Sequence, residues 1–301
     1  MEFHQFKDLK ISSIGFGAAA LSQSGAGYGF GSLKEPAQRL LDHQIDLGIN
    51  LIDTAPIYGF GESERVLGDC LKAKRHDCNI VSKCGVHWHA NRRVDMTNEP
   101  SKCVSQLEDS LRRLKTDYID IYMIHWPDKN ISIMDTLEAL EKEKAKGKIR
   151  YLGLCNTNNH DLKQAQEEFE IGFIQSEANL FNNGFKDLDC DDLFKMSWGT
   201  FDKGILTGRV TLDRSFEKSD CRSWAPWWKK SDWKEKVARF NNLNNFLVKE
   251  NIDPASFAIN YNLKILGIKN VLCGFKSTAD SNICFDIVKE ILMTGHKLLL
   301  L

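Results

Sequence analysis

Short apolar segments recur along the chain, and amphipathic stretches separate them. The apolar segments are rich in Ile, Val, Leu and Phe, and their hydrophobicity is continuous rather than alternating. This pattern is typical of parallel strands that are buried on both faces. It predicts eight strands, which cover residues 11–16, 50–53, 79–83, 118–125, 151–156, 173–177, 193–198 and 270–274.

The stretches between these segments carry helical periodicity. Residues 102–114 and 133–146 repeat apolar side chains at helical spacing, and Gly147 follows the second stretch as a suitable C-cap. Further helices are predicted over residues 33–47, 233–250 and 254–266.

The alternation of strand and helix, repeated eight times, predicts a (β/α)8 TIM barrel, because right-handed crossovers place successive parallel strands side by side. Residues 3–11 predict a small N-terminal hairpin at the barrel floor. A long loop after the seventh strand, over residues 208–231, is of the kind that usually carries function. We expect a single domain over residues 1–301, although the length alone allows two domains of ~150 residues each.

The composition is ordinary for a globular enzyme. Of the 301 residues, 42% are hydrophobic and 27% are charged, and 40 basic against 41 acidic residues give a net charge of −1. Without a strong positive field, a dedicated role in binding nucleic acid or a membrane surface is disfavoured. The N-terminus lacks the signal-peptide pattern, and apolar runs are far shorter than the ~20 residues that span a bilayer.

Nine cysteines lie along the chain without a Cys-x-x-Cys pair, which disfavours a structural zinc site. An odd number of cysteines without a secretion signal fits a reducing compartment. We therefore interpret the thiols as structural and expect a cytoplasmic protein without a metal, either a monomer or a small homo-oligomer.

Polar side chains end three consecutive predicted strands. Asp53 ends the second strand, Lys83 the third and His125 the fourth, and Tyr58 follows closely after Asp53. The carboxyl ends of barrel strands meet at one mouth of the barrel. The four side chains are therefore expected to converge there.

Together these four side chains would suit the protonation of a carbonyl oxygen. A tyrosine has an ordinary pKa near ~10, and the ammonium of Lys83 would lower the pKa of Tyr58 by stabilising the phenolate. Asp53 would keep Lys83 charged and oriented, and His125 would donate a hydrogen bond to the oxygen that gains charge. Because such a site needs a hydride donor, a nicotinamide cofactor is predicted.

The same residues carry a resemblance to the aldo-keto reductase family. The likeness extends from residue 14 to about residue 285, and it rests on motifs that are typical of the family. These motifs are residues 53–64 (DTAPIYGFGESE), 82–83 (SK), 124–127 (IHWP) and 147–154 (GKIRYLGL). The resemblance implies that Asp53, Tyr58, Lys83 and His125 form the family's catalytic tetrad, with Tyr58 as the general acid.

The resemblance also implies residues that hold NADP(H). They are Asn156 and Gln175 at the carboxamide, Trp198 against the nicotinamide, Gly204, Leu206 and Gly208 beside the pyrophosphate, and Gly274, Lys276 and Ser277 at the 2′-phosphate. A lysine with a serine hydroxyl suits that phosphate physically. The chain departs from the residues that are common in the family at Cys155, Trp198, Asp202, Asp280 and Cys284.

The expected function is NADPH-dependent reduction of an aldehyde or ketone, with a small-molecule carbonyl compound as the partner. Trp88 and Trp126 follow the lysine and the histidine closely and are expected near the substrate. Aromatic and basic side chains in the long loop suggest a sugar or another polar carbonyl substrate. The loop tryptophans are Trp224, Trp227, Trp228 and Trp233.

Three features of the sequence allow interpretations other than reduction. The potassium-channel β subunits resemble this family, so one alternative is an NADP-binding regulatory subunit. His87 and His89 have the spacing of a metal pair, which would suit a metal-dependent barrel hydrolase. Residues 15–20 (GFGAAA) match a dinucleotide fingerprint, but loop residues follow them where a Rossmann fold requires a helix.

Overall fold

Eight parallel strands close into a barrel in a computed structural model of the chain, which describes residues 1–22 and 33–282. In chain order, the strands of the described residues are β1 (Phe3–Phe6), β2 (Leu9–Ser12), β3 (Ile14–Gly17), β4 (Leu51–Asp53), β5 (Asn79–Cys84), β6 (Val86–Trp88), β7 (Val94–Met96), β8 (Ile119–Ile124), β9 (Ile149–Cys155), β10 (Ile171–Asn179), β11 (Asn182–Asn183), β12 (Phe194–Trp198) and β13 (Asn270–Cys273). The barrel strands pair in the order β3-β4-β5-β8-β9-β10-β12-β13, and β13 pairs with β3 to close the ring. The prediction of a TIM barrel is confirmed.

Helices surround the barrel between its strands. They are α1 (Ala37–Asp46), α2 (Glu62–Cys70), α3 (Pro100–Leu114), α4 (Ile133–Ala145), α5 (Asn159–Glu168), α6 (Pro226–Lys229), α7 (Trp233–Lys249) and α8 (Pro254–Asn260). Short 3₁₀ turns lie at Ala18–Leu21, Arg75–Asp77, Asp202–Thr207 and Cys221–Ser223, and a π turn lies at Tyr261–Ile265. Within the described residues, no helix has the length and apolar character to cross a membrane.

Local chemistry explains where α3 begins and ends. The side chain of Glu99 accepts hydrogen bonds from the backbone N–H groups of Ser101 and Lys102, and Pro100 occupies the first helical position. The helix ends at Lys115, whose φ of 55° lies in the left-handed region that is typical of a helix terminus.

Two predicted elements differ from the structure. The first predicted strand, residues 11–16, is divided, because Ile11 and Ser12 pair in the hairpin whereas the barrel strand begins at Ile14. The predicted helix 254–266 changes into the π turn after Asn260. There the buried amide of Asn262 donates to the backbone carbonyl of Ala258, a side-chain bond that competes with the regular helical ladder.

The N-terminal hairpin closes the barrel floor, as predicted. Strands β1 and β2 pair antiparallel, and β2 directs Leu9 and Ile11 into the apolar interior of the barrel. The Phe6 ring packs on Phe173 of β10 with ring centres 4.5 Å apart. Because side chains fill this floor, the open end of the barrel is the opposite one, where the strands have their carboxyl ends.

A buried charged network ties the strands together near the floor. Asp120, at the start of β8, accepts hydrogen bonds from Arg75 at 2.8 Å, from Arg150 at 2.6 Å and from the backbone N–H of Ile80 at 2.9 Å. The Asp120 side chain is 1% exposed. Arg150 also reaches Asp8 in the hairpin turn at 2.5 Å, so the network joins the floor to the barrel wall.

We expect Asp120→Ala to destabilise the protein by about 3 to 5 kcal/mol, because it leaves the buried Arg75 guanidinium without its carboxylate. Equilibrium unfolding in urea measures this loss. Glu138→Ala, which removes an exposed ion pair with Lys142 on α4, is the control and should leave the free energy of unfolding nearly unchanged. A loss at Asp120 no larger than that of the control would contradict the assigned role of this network.

Candidate active site

A buried ion pair between Asp53 and Lys83 lies at the carboxyl ends of the adjacent strands β4 and β5. Lys83 Nζ donates to Asp53 Oδ1 at 2.8 Å, to Asp53 Oδ2 at 2.7 Å and to the backbone carbonyl of Thr54 at 3.0 Å. Lys83 is completely buried and Asp53 is 3% exposed. Burial of an ammonium is tolerated only where the charge is paired and hydrogen-bonded. The three acceptors match the three N–H donors of the ammonium.

Tyr58 and His125 lie beside this ion pair. The Lys83 ammonium is 5.7 Å from the centre of the Tyr58 ring, and the rings of Tyr58 and His125 meet edge to face at 6.1 Å. Burial, together with the positive charge of Lys83, lowers the pKa of His125 well below its ordinary value. The imidazole is therefore neutral at physiological pH and has one N–H to donate. The structure thus brings all four predicted tetrad residues together.

A cleft of about 1210 Å³ opens at this mouth of the barrel. Its volume exceeds the ~300–1,000 Å³ that is typical of pockets for drug-sized ligands. Asp53, Tyr58 and His125 line it together with Trp126 and Trp198. Several cationic side chains also line the cleft; they are Lys34, Lys203, Arg209, Arg214, Arg222 and Lys276.

Two amide side chains, the buried Gln175 and the half-buried Asn156, connect the tetrad with the neighbouring strands β9 and β10. Gln175 Nε2 donates to Asp53 Oδ2 at 2.8 Å, and the Cys155 thiol contacts Gln175 Oε1 at 3.3 Å. Asn156 Nδ2 donates to the backbone carbonyl of His125 at 3.0 Å, and the Trp198 indole N–H donates to Asn156 Oδ1 at 3.0 Å. The residues that were predicted at the carboxamide therefore form one network with the tetrad.

The cationic part of the cleft surrounds Lys276. Burial lowers the pKa of Lys276, with the charge of Asp220 opposing this effect and those of Arg222 and Lys34 adding to it. Of the residues that were predicted at the 2′-phosphate, Lys276 and Gly274 line the cleft. Ser277 does not; its hydroxyl donates to Asp280 Oδ2 at 2.8 Å.

Asp280 places a carboxylate within this cationic part. Its carboxylate also accepts from Arg209 at 2.6 Å and lies 3.4 Å from Lys34 Nζ. Burial acts to raise the pKa of Asp280, but the hydrogen bonds from Arg209 and Ser277 outweigh it, so the pKa lies below its ordinary value. The Asp280 carboxylate therefore occupies donors that an anionic ligand would otherwise use. Cys284, another departure from the family, lies outside the described residues.

The turn after β12 presents a lysine to the cleft. Asp202, Lys203 and Gly204 have successive φ angles of 40°, 56° and 100°, all in the left-handed region. Lys203 Nζ pairs with Glu177 at 2.5 Å and lies 5.9 Å from the centre of the Trp198 ring. Non-glycine residues in this region are uncommon, and they concentrate at functional sites.

Two residues that were predicted in this turn do not line the cleft. Leu206 is buried in an apolar cluster with Val210 and Trp228. Gly208 ends the turn with a φ of 70° and faces Asn244. In the same turn, Gly204 and Thr207 line the cleft.

The predicted tryptophans divide between the cleft and the surrounding packing. Trp126 lines the cleft and meets Trp198 at 6.5 Å, whereas Trp88 packs against Phe60 at 5.7 Å. Trp228 of the long loop is buried, and Trp233 at the start of α7 stacks on it at 5.4 Å. Trp227 lines the cleft and Trp224 is 46% exposed. Much of the loop's aromatic content therefore serves packing.

The two histidines with the spacing of a metal pair, the alternative interpretation, lie on the short hairpin of β6 and β7 and directly after β6. The rings of His87 and His89 are 5.0 Å apart, and His89 Nε2 lies 2.5 Å from Asp95. Within residues 1–22 and 33–282, the structure holds no group of three or more His, Cys, Asp or Glu side chains that could bind a metal ion.

Comparison with known proteins identifies the family. The sequence profile of the Aldo/keto reductase family matches residues 13–282. The chain belongs to the aldo/keto reductase family. It is 31% identical over 251 residues to the aldo-keto reductase YhdN of Bacillus subtilis (strain 168), covering 81% of this chain and 75% of that protein.

Two further relatives of this aldo/keto reductase have named activities. The NADH-specific methylglyoxal reductase of Escherichia coli (strain K12) is 30% identical over 225 residues, which is 68% of each chain. The solved structure of the glycerol dehydrogenase AKR11B4 from Gluconobacter oxydans is similar with a TM-score of 0.81 at 29% identity, covering 95% of this chain and 89% of that chain. The family establishes this chain as an oxidoreductase.

Several residues that line the cleft do not follow from the sequence patterns. Lys34, Lys203, Arg209 and Arg214 line the cleft but were not among the predicted site residues. The glycine after Lys203 was the available signal for that residue, because a basic side chain next to a left-handed turn is typical of anion-binding loops. The other three cations lie on loops, whose positions follow from tertiary contacts alone.

We expect the neutral state of His125 to make this protein less stable in mild acid. The unfolded chain binds a proton at this histidine below about pH 6.5, whereas the folded state resists it. As the pH falls below that value, the wild-type protein should therefore lose up to about 1.4 kcal/mol per pH unit more than His125→Asn. Urea unfolding at several pH values measures the difference.

The control for this measurement is His160→Asn, because solvent surrounds the exposed His160 ring in the folded and the unfolded state. It should follow the pH dependence of the wild-type protein. Identical slopes for His125→Asn and the wild-type protein would contradict the assignment of a neutral buried imidazole.

Proposed function

We propose that this protein reduces an aldehyde or ketone to an alcohol with NADPH, with Tyr58 as the general acid. The observation that carries the proposal is the buried Asp53–Lys83 ion pair next to Tyr58 and a neutral His125 at the cleft. Perturbed and buried titratable groups that converge in a cleft are typical of catalytic sites.

Each of the four side chains has a part in proton transfer to the carbonyl oxygen. Tyr58 donates the proton, and the Lys83 ammonium stabilises the phenolate that remains. Asp53 holds Lys83 in place through both carboxylate oxygens. The neutral imidazole of His125 donates a hydrogen bond to the oxygen, which orients the substrate without competing as an acid.

The side chains that line the cleft suit a nicotinamide dinucleotide. Asn156 and Gln175 present amide groups beside the tetrad, the Trp198 ring offers an aromatic face, and Lys203 and Lys276 supply positive charge for phosphates. When bound, the cofactor supplies the hydride that the carbonyl carbon accepts. The protein's own part is to orient both reactants and to keep the proton donor in reach.

The preference for NADPH rests on the cations around Lys276. Arg222 and Lys34 act electrostatically on Lys276, and Arg209 lines the same cleft, so a 2′-phosphate would find several positive partners. Asp280 opposes this preference, because its carboxylate takes the Ser277 hydroxyl and pairs with Arg209. A carboxylate at such a position suits the ribose 2′-hydroxyl of NADH, which donates a hydrogen bond.

The substrate is proposed to be a small carbonyl compound. Trp126, Met96 and two alanines line the cleft along with Tyr58 and His125. The long loop contributes the basic side chains of Arg209, Arg214 and Arg222 to the cleft, and Arg222 acts electrostatically on Lys276. The named activities of the relatives, on methylglyoxal and glycerol, also concern small oxygenated compounds. Sugars are among the carbonyl compounds on which turnover is measured.

We also propose a single domain and a cytoplasmic location. The described elements either form the barrel or pack around it. The eight described cysteines are free thiols, seven of them buried, which fits a reducing compartment.

We expect Tyr58→Phe to lower turnover by about 10² to 10⁴-fold, because this is the typical contribution of a positioned general acid. Its affinity for NADPH, measured by fluorescence titration, should stay within about twofold of wild type because the change removes one hydroxyl only. Turnover is measured as NADPH absorbance loss on short dicarbonyls, aromatic aldehydes and sugars.

Tyr118→Phe, which removes a tyrosine hydroxyl at the barrel floor, is the matched control and should retain full turnover. Undiminished reduction by Tyr58→Phe would refute its role as the acid. Tight NADPH binding by the wild-type protein without turnover of any carbonyl would favour the regulatory-subunit alternative.

We expect Lys276→Met and Asp280→Asn to change cofactor preference in opposite directions. Lys276→Met should weaken NADPH binding by about 10-fold or more, through loss of a charge-assisted hydrogen bond, with little effect on NADH. Asp280→Asn should strengthen NADPH binding relative to NADH. It removes a negative charge near the 2′-phosphate and makes the Arg209 guanidinium and the Ser277 hydroxyl more available to that phosphate. Dissociation constants for both cofactors test this; equal changes for both would rule out a role at the 2′-phosphate.

A further inference from the structure

The Gln175 side chain contacts the catalytic carboxylate directly. Its Nε2 donates to Asp53 Oδ2 at 2.8 Å, and Gln175 is 2% exposed. The same Asp53 oxygen accepts from Lys83 at 2.7 Å. The amide therefore lies on the ion pair itself, although sequence reasoning placed Gln175 at the cofactor.

The second polar atom of Gln175 is held by Cys155. The thiol sulfur lies 3.3 Å from Gln175 Oε1, and Cys155 is 1% exposed. Burial raises the pKa of the Cys155 thiol to about 12, so the group stays protonated and can donate. Asp53 in its ion pair accepts only, so the amide must direct its NH₂ group to Asp53 and its oxygen to the thiol.

The network continues from Cys155 to the residues that face the cleft. Asn156 Nδ2 lies 3.1 Å from the Cys155 sulfur and 3.0 Å from the backbone carbonyl of His125. Asn156 Oδ1 accepts from the Trp198 indole at 3.0 Å. An unbroken series of hydrogen bonds thus connects an aromatic ring of the cleft with the ion pair beside Tyr58.

We propose that Gln175 is a positioning residue for Asp53, that the Cys155 thiol orients Gln175, and that together they set how strongly the Asp53–Lys83 pair acts on Tyr58. This inference rests on the proposed function of Tyr58 as the acid. It assigns to Cys155, where the chain departs from the serine common in the family, a defined hydrogen-bonding role.

The physical basis is the distribution of charge in the ion pair. The Gln175 N–H stabilises part of the negative charge on Asp53. The carboxylate therefore neutralises less of the positive charge of the Lys83 ammonium. More of the ammonium's positive field then acts on the Tyr58 phenolate. Without the amide, the carboxylate would neutralise Lys83 more fully, and the phenolate would be less stable.

The titratable groups that face this centre come from several strands and one loop. They are Asp53 on β4, Tyr58 in the following loop, Lys83 on β5, His125 after β8 and Cys155 on β9. His125 is neutral and Cys155 is protonated over the physiological range. His125 and Cys155 therefore carry no charge at physiological pH, and the Asp53–Lys83 ion pair supplies the charges that face Tyr58.

The experiment compares Gln175→Leu and Gln175→Glu with the wild-type protein. Without cofactor, ultraviolet difference spectroscopy follows tyrosinate formation, and Tyr58→Phe identifies the contribution of Tyr58. With cofactor, the dissociation constant is measured first, and kcat is then measured at saturating cofactor over a range of pH. Circular dichroism and urea unfolding check that each variant is folded.

Gln175→Leu should shift the titration of Tyr58 upward by about half a pH unit and lower kcat at saturating cofactor by about 10-fold. A residue that only holds the cofactor would instead raise the dissociation constant and leave kcat and the cofactor-free titration unchanged. That result would overturn the inference.

Gln175→Glu places a second carboxyl group against Asp53 with little change in shape. Two facing carboxyl groups share one proton, so one of them stays protonated above the ordinary value of ~4.3 for glutamate. The protonated form can donate to Asp53 as the amide does. The kcat of Gln175→Glu relative to wild type should therefore fall at least 10-fold between about pH 5 and pH 8. A pH profile parallel to wild type would contradict the inference.

Cys155→Ser and Cys155→Ala test the orienting bond. Cys155→Ser keeps a donor to Gln175 Oε1 and should retain wild-type kcat and Tyr58 titration. Cys155→Ala removes the donor and should lower kcat several-fold, with the Tyr58 titration shifted as in Gln175→Leu. Equal behaviour of the two variants would remove Cys155 from the proposal.

The same experiments separate this inference from the proposed function. If Tyr58→Phe keeps full turnover, the function proposed for Tyr58 fails. If Tyr58→Phe is inactive and the Gln175 variants neither shift the Tyr58 titration nor change kcat, the function stands and the positioning role alone is wrong.

Discussion

The buried ion pair of Asp53 and Lys83 is the constraint on which the candidate site depends. Two charges inside a protein carry a large desolvation cost, which is tolerable only with close pairing and further hydrogen bonds. Here the carbonyl of Thr54 and the amide of Gln175 provide those bonds. Parallel pairing of β4 with β5 sets both side chains at the same end of adjacent strands, so the barrel register itself determines the geometry. Tyr58 depends on that register for its electrostatic environment.

The two ends of the barrel divide stability and chemistry between them. At the floor, the hairpin fills the opening with apolar side chains, and Asp120 joins Arg75 and Arg150 in a buried network. At the mouth, the strands end in polar residues that surround an open cleft. This separation is physically necessary, because a cleft has to stay open and cannot be filled by packing. The stability that its strained or charged residues cost must come from other parts of the fold.

The surroundings of Tyr58 and Lys276, both in the cleft, differ in charge. Around Tyr58 the groups are neutral or internally paired, which suits the proton transfer proposed for this residue. Around Lys276 cations predominate, and the Asp280 carboxylate offsets part of their positive charge. The long loop contributes to the cleft through residues such as Trp227, while Trp228 belongs to the apolar cluster beneath it. One loop therefore serves both packing and the surface of the cleft.

The sequence by itself determined the strand–helix alternation and the strand ends, so the barrel and its convergent Asp53, Tyr58, Lys83 and His125 could be predicted. Hydrophobic continuity and strand polarity are local properties, and parallel barrel geometry then brings those strand ends to one mouth. Only the tertiary structure decided that Gln175 contacts Asp53, because this hydrogen bond joins residues far apart in the chain and depends on side-chain orientation. The same reason explains why the cationic loop residues were missed and why Leu206 packs away from the cleft. Contacts between distant loops follow from packing, and no periodicity in the chain encodes them.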